Sequence, residues 1–127
     1  MFVNAARKYL GVKFHHQGRN VAGLDCLGLV ILAARDIGRY LEDLKGYART
    51  PDGDKLKKEC ERQLKAGDIN NMKEGDILLM RFRREPQHLA IKTDVGIIHS
   101  YQDAGQVVEH GLDDKWLSRI KGVYKLG

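Results

Sequence analysis

The chain reads as an α+β protein, with helices in its first half and an antiparallel sheet in its second. Three observations predict this arrangement. Before Gly67 the apolar residues recur at helical spacing, after it they alternate or run in short blocks, and short turns separate those blocks. The 127 residues show no break in composition, so one domain spanning residues 1–127 is expected.

The elements follow in order. Phe2, Val3, Ala5, Ala6 and Leu10, mixed with Arg7 and Lys8, form an amphipathic helix pattern that Gly11 can cap. The stretch from Gly11 to Gly23 is rich in Gly, His, Gln and Asn, as loops are. Asp25 is a good N-cap, and Leu27, Val30, Ile31 and Ala34 then recur at helical spacing until Asp36 to Gly38. Cys26 therefore falls in the first turn of a helix with a buried apolar face. Thr50-Pro51-Asp52-Gly53 reads as a turn, and Asp54 can cap a polar helix through Leu64. Strands are expected over 76–82, 90–92, 95–99 and 107–110, parted by Glu85-Pro86, Thr93-Asp94 and Asp103-Ala104-Gly105. A short helix over 113–119 and a strand over 123–126 complete the chain.

Composition narrows the function. A net charge of +5 favours an anionic partner: nucleic acid, an acidic cell-wall polymer or a membrane surface. Apart from Lys57-Lys58 and the group Arg81, Arg83 and Arg84, the basic residues are scattered, and no aromatic-basic interleaving marks a nucleic-acid reader. No nucleic-acid partner is expected. Leu27 to Ala34, the longest strongly apolar stretch, is too short to span a bilayer, and Met1 to Leu10 is not a signal-peptide run. The expectation is a chain made in the cytoplasm without a signal peptide. Two cysteines, Cys26 and Cys60, are too few for a disulfide framework or an all-cysteine zinc site. The histidines at 15, 16 and 110 fit no standard zinc spacing either, so neither metal nor cofactor is expected.

The chemistry centres on Cys26. A helix N-terminus with unpaired N–H groups lowers a cysteine pKa when a histidinium stands nearby, which makes a nucleophile. The Cys26 N–H can also donate to an oxyanion. The alternative is an inert buried thiol. His88 stands at the entry to a strand and His99 closes the next, so adjacent antiparallel strands place them side by side. His88 is then the candidate base and His99 the group that holds its tautomer. His16 and Gln17 are candidates for lining the cleft or the oxyanion site, and Asp25 for a helix cap rather than a catalytic acid. Cys60 reads as a bystander turned to the core.

These residues resemble a known family. Lys13 to Arg19, then Gly23-Leu24-Asp25-Cys26-Leu27-Gly28-Leu29-Val30, are similar to the nucleophile motif of the NlpC-type cell-wall cysteine peptidases, and resemble most their branch in tailed phages and gene transfer agents. The resemblance continues through Lys73 to Ile77, His88, Val95 to His99, and Val108-Glu109-His110 before Trp116. It implies a papain-like α+β fold, hydrolysis of an amide in peptidoglycan stem peptides, a triad of Cys26, His88 and His99, and Asp25 near the substrate's free amine. It also implies tail or tail-tip proteins as partners and a place on a phage-like particle. Two positions depart from the pattern: Phe14 stands where many members have Tyr, and Leu27 where many have Ser. They motivate the rival reading, a structural or plug component of a tail tip with little activity.

Overall fold

A computed structural model describes residues 1–43, 55–82 and 88–126. The expected Thr50 to Gly53 turn, the Asp54 cap and the Glu85-Pro86 turn lie outside those residues. Helix α1 (Phe2–Arg7) leads into a small ribbon, β1 (Arg19–Asn20) and β2 (Gly23–Leu24), and then into helix α2 (Cys26–Asp36). Helix α3 (Lys55–Gln63) and strand β3 (Lys65–Ala66) follow. The rest is β4 (Ile77–Met80), β5 (His88–Lys92), β6 (Ile97–Tyr101), β7 (Gln106–His110), α4 (Asp114–Leu117) and β8 (Ile120–Lys125).

Six strands form one sheet in the order β3-β8-β4-β5-β6-β7, and every pairing is antiparallel. The α+β expectation holds. Because side chains alternate across a strand, the sheet has two unlike faces. Ile77, Leu79, Leu89, Ile91, Ile98 and Val107 pack with α1 and α2 into the main core. Leu78, Met80, Ala90, Ile97, Ile120 and Val123 form a second cluster on the other face, against which Trp116 of α4 packs.

Helix α2 differs from the expected amphipathic helix in being enclosed nearly all round. Leu27, Gly28, Leu29, Val30, Leu32, Ala33 and Ala34 are all buried, whereas Ile31 is partly exposed. This is the central helix of the domain. Its start is fixed by Asp25, which is almost fully buried and accepts a hydrogen bond from the Gly28 N–H at 2.8 Å. The same carboxylate accepts from the Gln17 N–H at 2.8 Å and from the Arg19 guanidinium at 2.9 Å, so one side chain ties the preceding loop to the helix N-terminus. Gly28 is required there, since a Cβ at that position would sit 2.2 Å from the Gly18 carbonyl oxygen.

Further anchors set the sheet against this helix. The Ser100 hydroxyl on β6 donates to the Leu24 carbonyl at 2.6 Å, two residues before Cys26. Arg7 on α1 reaches both oxygens of Glu109 on β7, and Asp94 as well.

Asp25 carries the helix cap, the loop and Arg19 at once, so Asp25→Ala is expected to lower stability by roughly 2 kcal/mol or more, above a simple cap deletion. Chemical denaturation checks it. A loss below about 0.5 kcal/mol would show that the loop and helix hold their places without the carboxylate.

Candidate active site

Cys26 is the first residue of α2 and is half-buried. Strands β5 and β6 are paired only at Ile91 with Ile98 and Lys92 with Ile97, so the ladder stops before His88 and Tyr101. The Leu89 and Leu27 N–H groups lie near enough to the Cys26 sulfur to favour its charged form. The thiol therefore sits against the backbone one residue from His88. Among the described residues no hydrogen bond joins the sulfur to the His88 ring itself.

The two expected histidines meet directly. His88 Nε2 lies 2.6 Å from His99 Nδ1, and both rings are buried. By strand alternation they project from the face of the second cluster, while Cys26 arrives from the helix face.

A third imidazole extends the line. His99 Nε2 lies 2.8 Å from His110 Nε2, and His110 Nδ1 lies 2.9 Å from the Gly111 carbonyl oxygen. The register pairs Ile97 with His110 and His99 with Val108, which makes His99 and His110 diagonal neighbours on one face. Gly96 permits this approach, because a Cβ there would sit 2.2 Å from the His110 carbonyl oxygen. Nitrogens this close to each other hydrogen-bond directly. A zinc ion held by bonds of about 2.0–2.1 Å would keep its ligand atoms further apart.

Aromatic rings enclose the line. Tyr101 stacks on His99 with centroids 5.1 Å apart, Trp116 stands edge-on to His99 at 5.1 Å, and Phe82 lies 4.8 Å from His88. The Arg119 guanidinium covers Phe82 and Trp116.

This enclosure reverses the expected electrostatics. Burial pulls the His88 pKa down to about 3, with Arg119 adding to the effect. His99 is lowered as well, first by burial and then by its histidine neighbours. Burial pushes the Cys26 thiol up to about 12, the Asp25 carboxylate adds to this, and the N–H groups of Leu89 and Leu27 oppose it. These shifts run against the activated thiolate expected at a helix N-terminus. The carboxylate that caps the helix disfavours a charge on the sulfur, and partial burial leaves such a charge less well solvated. Both shifts favour the uncharged forms, thiol and imidazole.

The other sequence candidates are placed as follows. Asp25 caps α2: its carboxylate accepts from the Gly28 and Gln17 N–H groups and from the Arg19 guanidinium, one residue before Cys26. His16 is partly buried, and Gln17 is exposed in the left-handed region with φ of 60°, both on the loop pinned to Asp25. Cys60 is buried in the main core. Leu27 is buried beside the nucleophile candidate, and Phe14 is partly buried, joined to Leu24 by a backbone bridge. Sequence reasoning missed Tyr101 and Phe82 and weighed His110 only as a metal ligand. Strand alternation over His99, Tyr101, Val108 and His110 held the signal.

A cysteine-led central helix set against a histidine-lined antiparallel sheet defines a papain-like α+β protein. The chain matches the NlpC/P60 family over residues 11–123, and it belongs to that family. Solved structures share the fold. An NlpC/P60 family protein from Bacillus cereus ATCC 10987 superposes with a TM-score of 0.77 at 18% identity, covering 98% of this chain and 39% of that one. The NlpC/p60 domain of the peptidoglycan hydrolase SagA gives 0.72 at 21% identity, covering 98% and 95%. A lipoprotein-like NLP/P60 family protein from Staphylococcus aureus subsp. aureus Mu50 gives 0.71 at 17% identity, covering 98% and 40%. The chain thus spans about two-fifths of the first and third of these. A search of curated protein sequences found no match.

The buried neutral histidines predict acid sensitivity. Unfolded His88 and His99 take up protons near pH 6.5, while the folded protein resists them down to about pH 3 at His88. Their contribution to stability is present above pH 6.5 and is lost as the pH falls toward 3. Thermal unfolding across that window should show a steep fall for the wild type and a shallower one for His99→Gln. Equal slopes would mean that the histidines titrate alike in both states.

Proposed function

We propose that this protein is a cysteine hydrolase that cleaves an amide bond in peptidoglycan stem peptides through an acyl-enzyme at Cys26. The observation that carries the reading is Cys26 at the N-terminus of α2 with the Leu89 N–H of β5 near its sulfur, and the His88 ring, one residue before Leu89, held by His99. Family membership and the fold shared with the NlpC/p60 domain of the peptidoglycan hydrolase SagA support the substrate class.

The raised thiol and the lowered imidazole set the order of events. His88 removes the thiol proton as sulfur attacks the carbonyl carbon, so charge develops only with bond formation. The Cys26 N–H at the helix start is a donor for the oxyanion, and His16 and Gln17 stand on the loop that borders the same helix end. The C–N bond then breaks, and the proton held by His88 passes to the leaving amine. Water, deprotonated by the same ring, attacks the thioester, and the acid leaves with the thiol restored. His99 acts on His88 and not on the substrate. Phe14 offers no hydroxyl to the oxyanion, which leaves that work to N–H donors.

Purified peptidoglycan incubated with the protein should yield new amine and carboxyl termini by mass spectrometry. Cys26→Ala should yield none. Intact peptidoglycan after incubation with a folded wild type would refute the hydrolase and favour the inactive tail-tip component, the reading that Phe14 and Leu27 motivate.

The motif resemblance to the tailed-phage branch adds a location to the proposal: the protein is carried to the wall on a phage tail or phage-like particle, in contact with other tail proteins. Mass spectrometry of purified particles should detect the chain at a fixed ratio to a tail protein. Its presence in lysate but never in particles would reject carriage.

A further inference from the structure

We propose that His110 is a positioning residue that fixes the tautomers of His99 and His88, so that His88 keeps its Nδ1 free of a proton and able to act as a base. The inference deepens the hydrolase reading and rests on it for its consequence. Its own content, the placing of three protons, stands apart from activity.

The argument is a count of donors and acceptors. The Gly111 carbonyl oxygen can only accept, so His110 Nδ1, 2.9 Å away, carries a hydrogen. A neutral imidazole has one N–H, which leaves His110 Nε2 as an acceptor. His99 Nε2, 2.8 Å from it, must donate. His99 Nδ1 is then bare, and His88 Nε2, 2.6 Å away, must donate in turn. The His88 nitrogen left bare is Nδ1, the one a general base needs. One backbone carbonyl thus sets the direction of three hydrogen bonds across three strands.

Without His110 this direction is free. His99 Nε2 has no acceptor, and moving its hydrogen to Nδ1 creates a donor to His88 Nε2. His88 then carries its hydrogen on Nδ1, where it cannot take a proton from the thiol. Either direction keeps the His88–His99 hydrogen bond, so that pair alone cannot choose. Among the described residues the ring neighbours favour no second solution: Tyr101, Trp116 and Phe82 present ring faces or edges, and Arg119 is a cation that gives the imidazoles no acceptor.

The site makes His110→Gln and His110→Leu informative together. A Gln amide oxygen can accept from His99 Nε2, whereas Leu fills space and accepts nothing. The decisive experiment is 15N NMR of the full chain labelled at histidine, which reads each ring's protonated nitrogen whether or not the protein is active. Wild type and His110→Gln should both show His88 and His99 protonated on Nε2 only. His110→Leu should show mixed or Nδ1-protonated forms, with the loss in kcat on purified peptidoglycan roughly tenfold or more and KM little changed. Should His110→Leu fail to fold, the wild-type spectrum still decides: His88 protonated on Nδ1 overturns the proposal. So does a folded His110→Leu that keeps both Nε2 tautomers. Tautomers as expected in a protein that cleaves nothing would sink the hydrolase reading and leave the relay standing.

Discussion

The buried carboxylate of Asp25 is the constraint on which the rest of the site depends. It caps α2, holds the loop at Gln17 and pairs with Arg19, and so it fixes where the helix begins. That start places Cys26 near Leu89 of β5. The same charge has a cost at the sulfur, which it pushes further from ionisation. Position is gained and a resting thiolate is given up. This trade fits the proposed role of His88 as a neutral, enclosed base, because proton removal coupled to attack needs alignment more than a preformed ion pair.

Much of this was legible in the sequence because the signals were local. Asp25 before an apolar periodic run marks a helix start, and the cap is formed. The alternation after Gly67 marks strands, and their antiparallel pairing follows from short connections. The boundaries moved by a few residues: β5 begins at His88 where the pattern suggested 90, and β6 runs on to Tyr101 where it suggested 99. The apolar signal fades at those ends because polar side chains take over the same face to build the site. The ribbon of β1 and β2 and the edge strand β3 gave no sequence signal, each being two residues long.

What the sequence could not supply was the degree of enclosure. A helix-start cysteine reads as acidified when its surroundings are imagined wet, and here burial outweighs the helix end. Cys26 packs against the main core, and on the other face Phe82, Tyr101 and Trp116, brought from three separate parts of the chain, enclose the imidazoles. His110 is a similar case. Read along the chain it is an isolated residue at a strand end. Read across β6 and β7 it is the diagonal neighbour of His99 and the link to a carbonyl that accepts and never donates.

The central claim is that Cys26 becomes covalently acylated by its substrate. Intact-protein mass spectrometry of samples mixed with peptidoglycan stem-peptide fragments and quenched in acid within the first turnovers tests it directly. The account predicts a mass increase equal to the acyl portion of the fragment, located at Cys26 by peptide mapping and absent from Cys26→Ala. Hydrolysis that proceeds in Cys26→Ala, or an adduct mapped to any other residue, would contradict it.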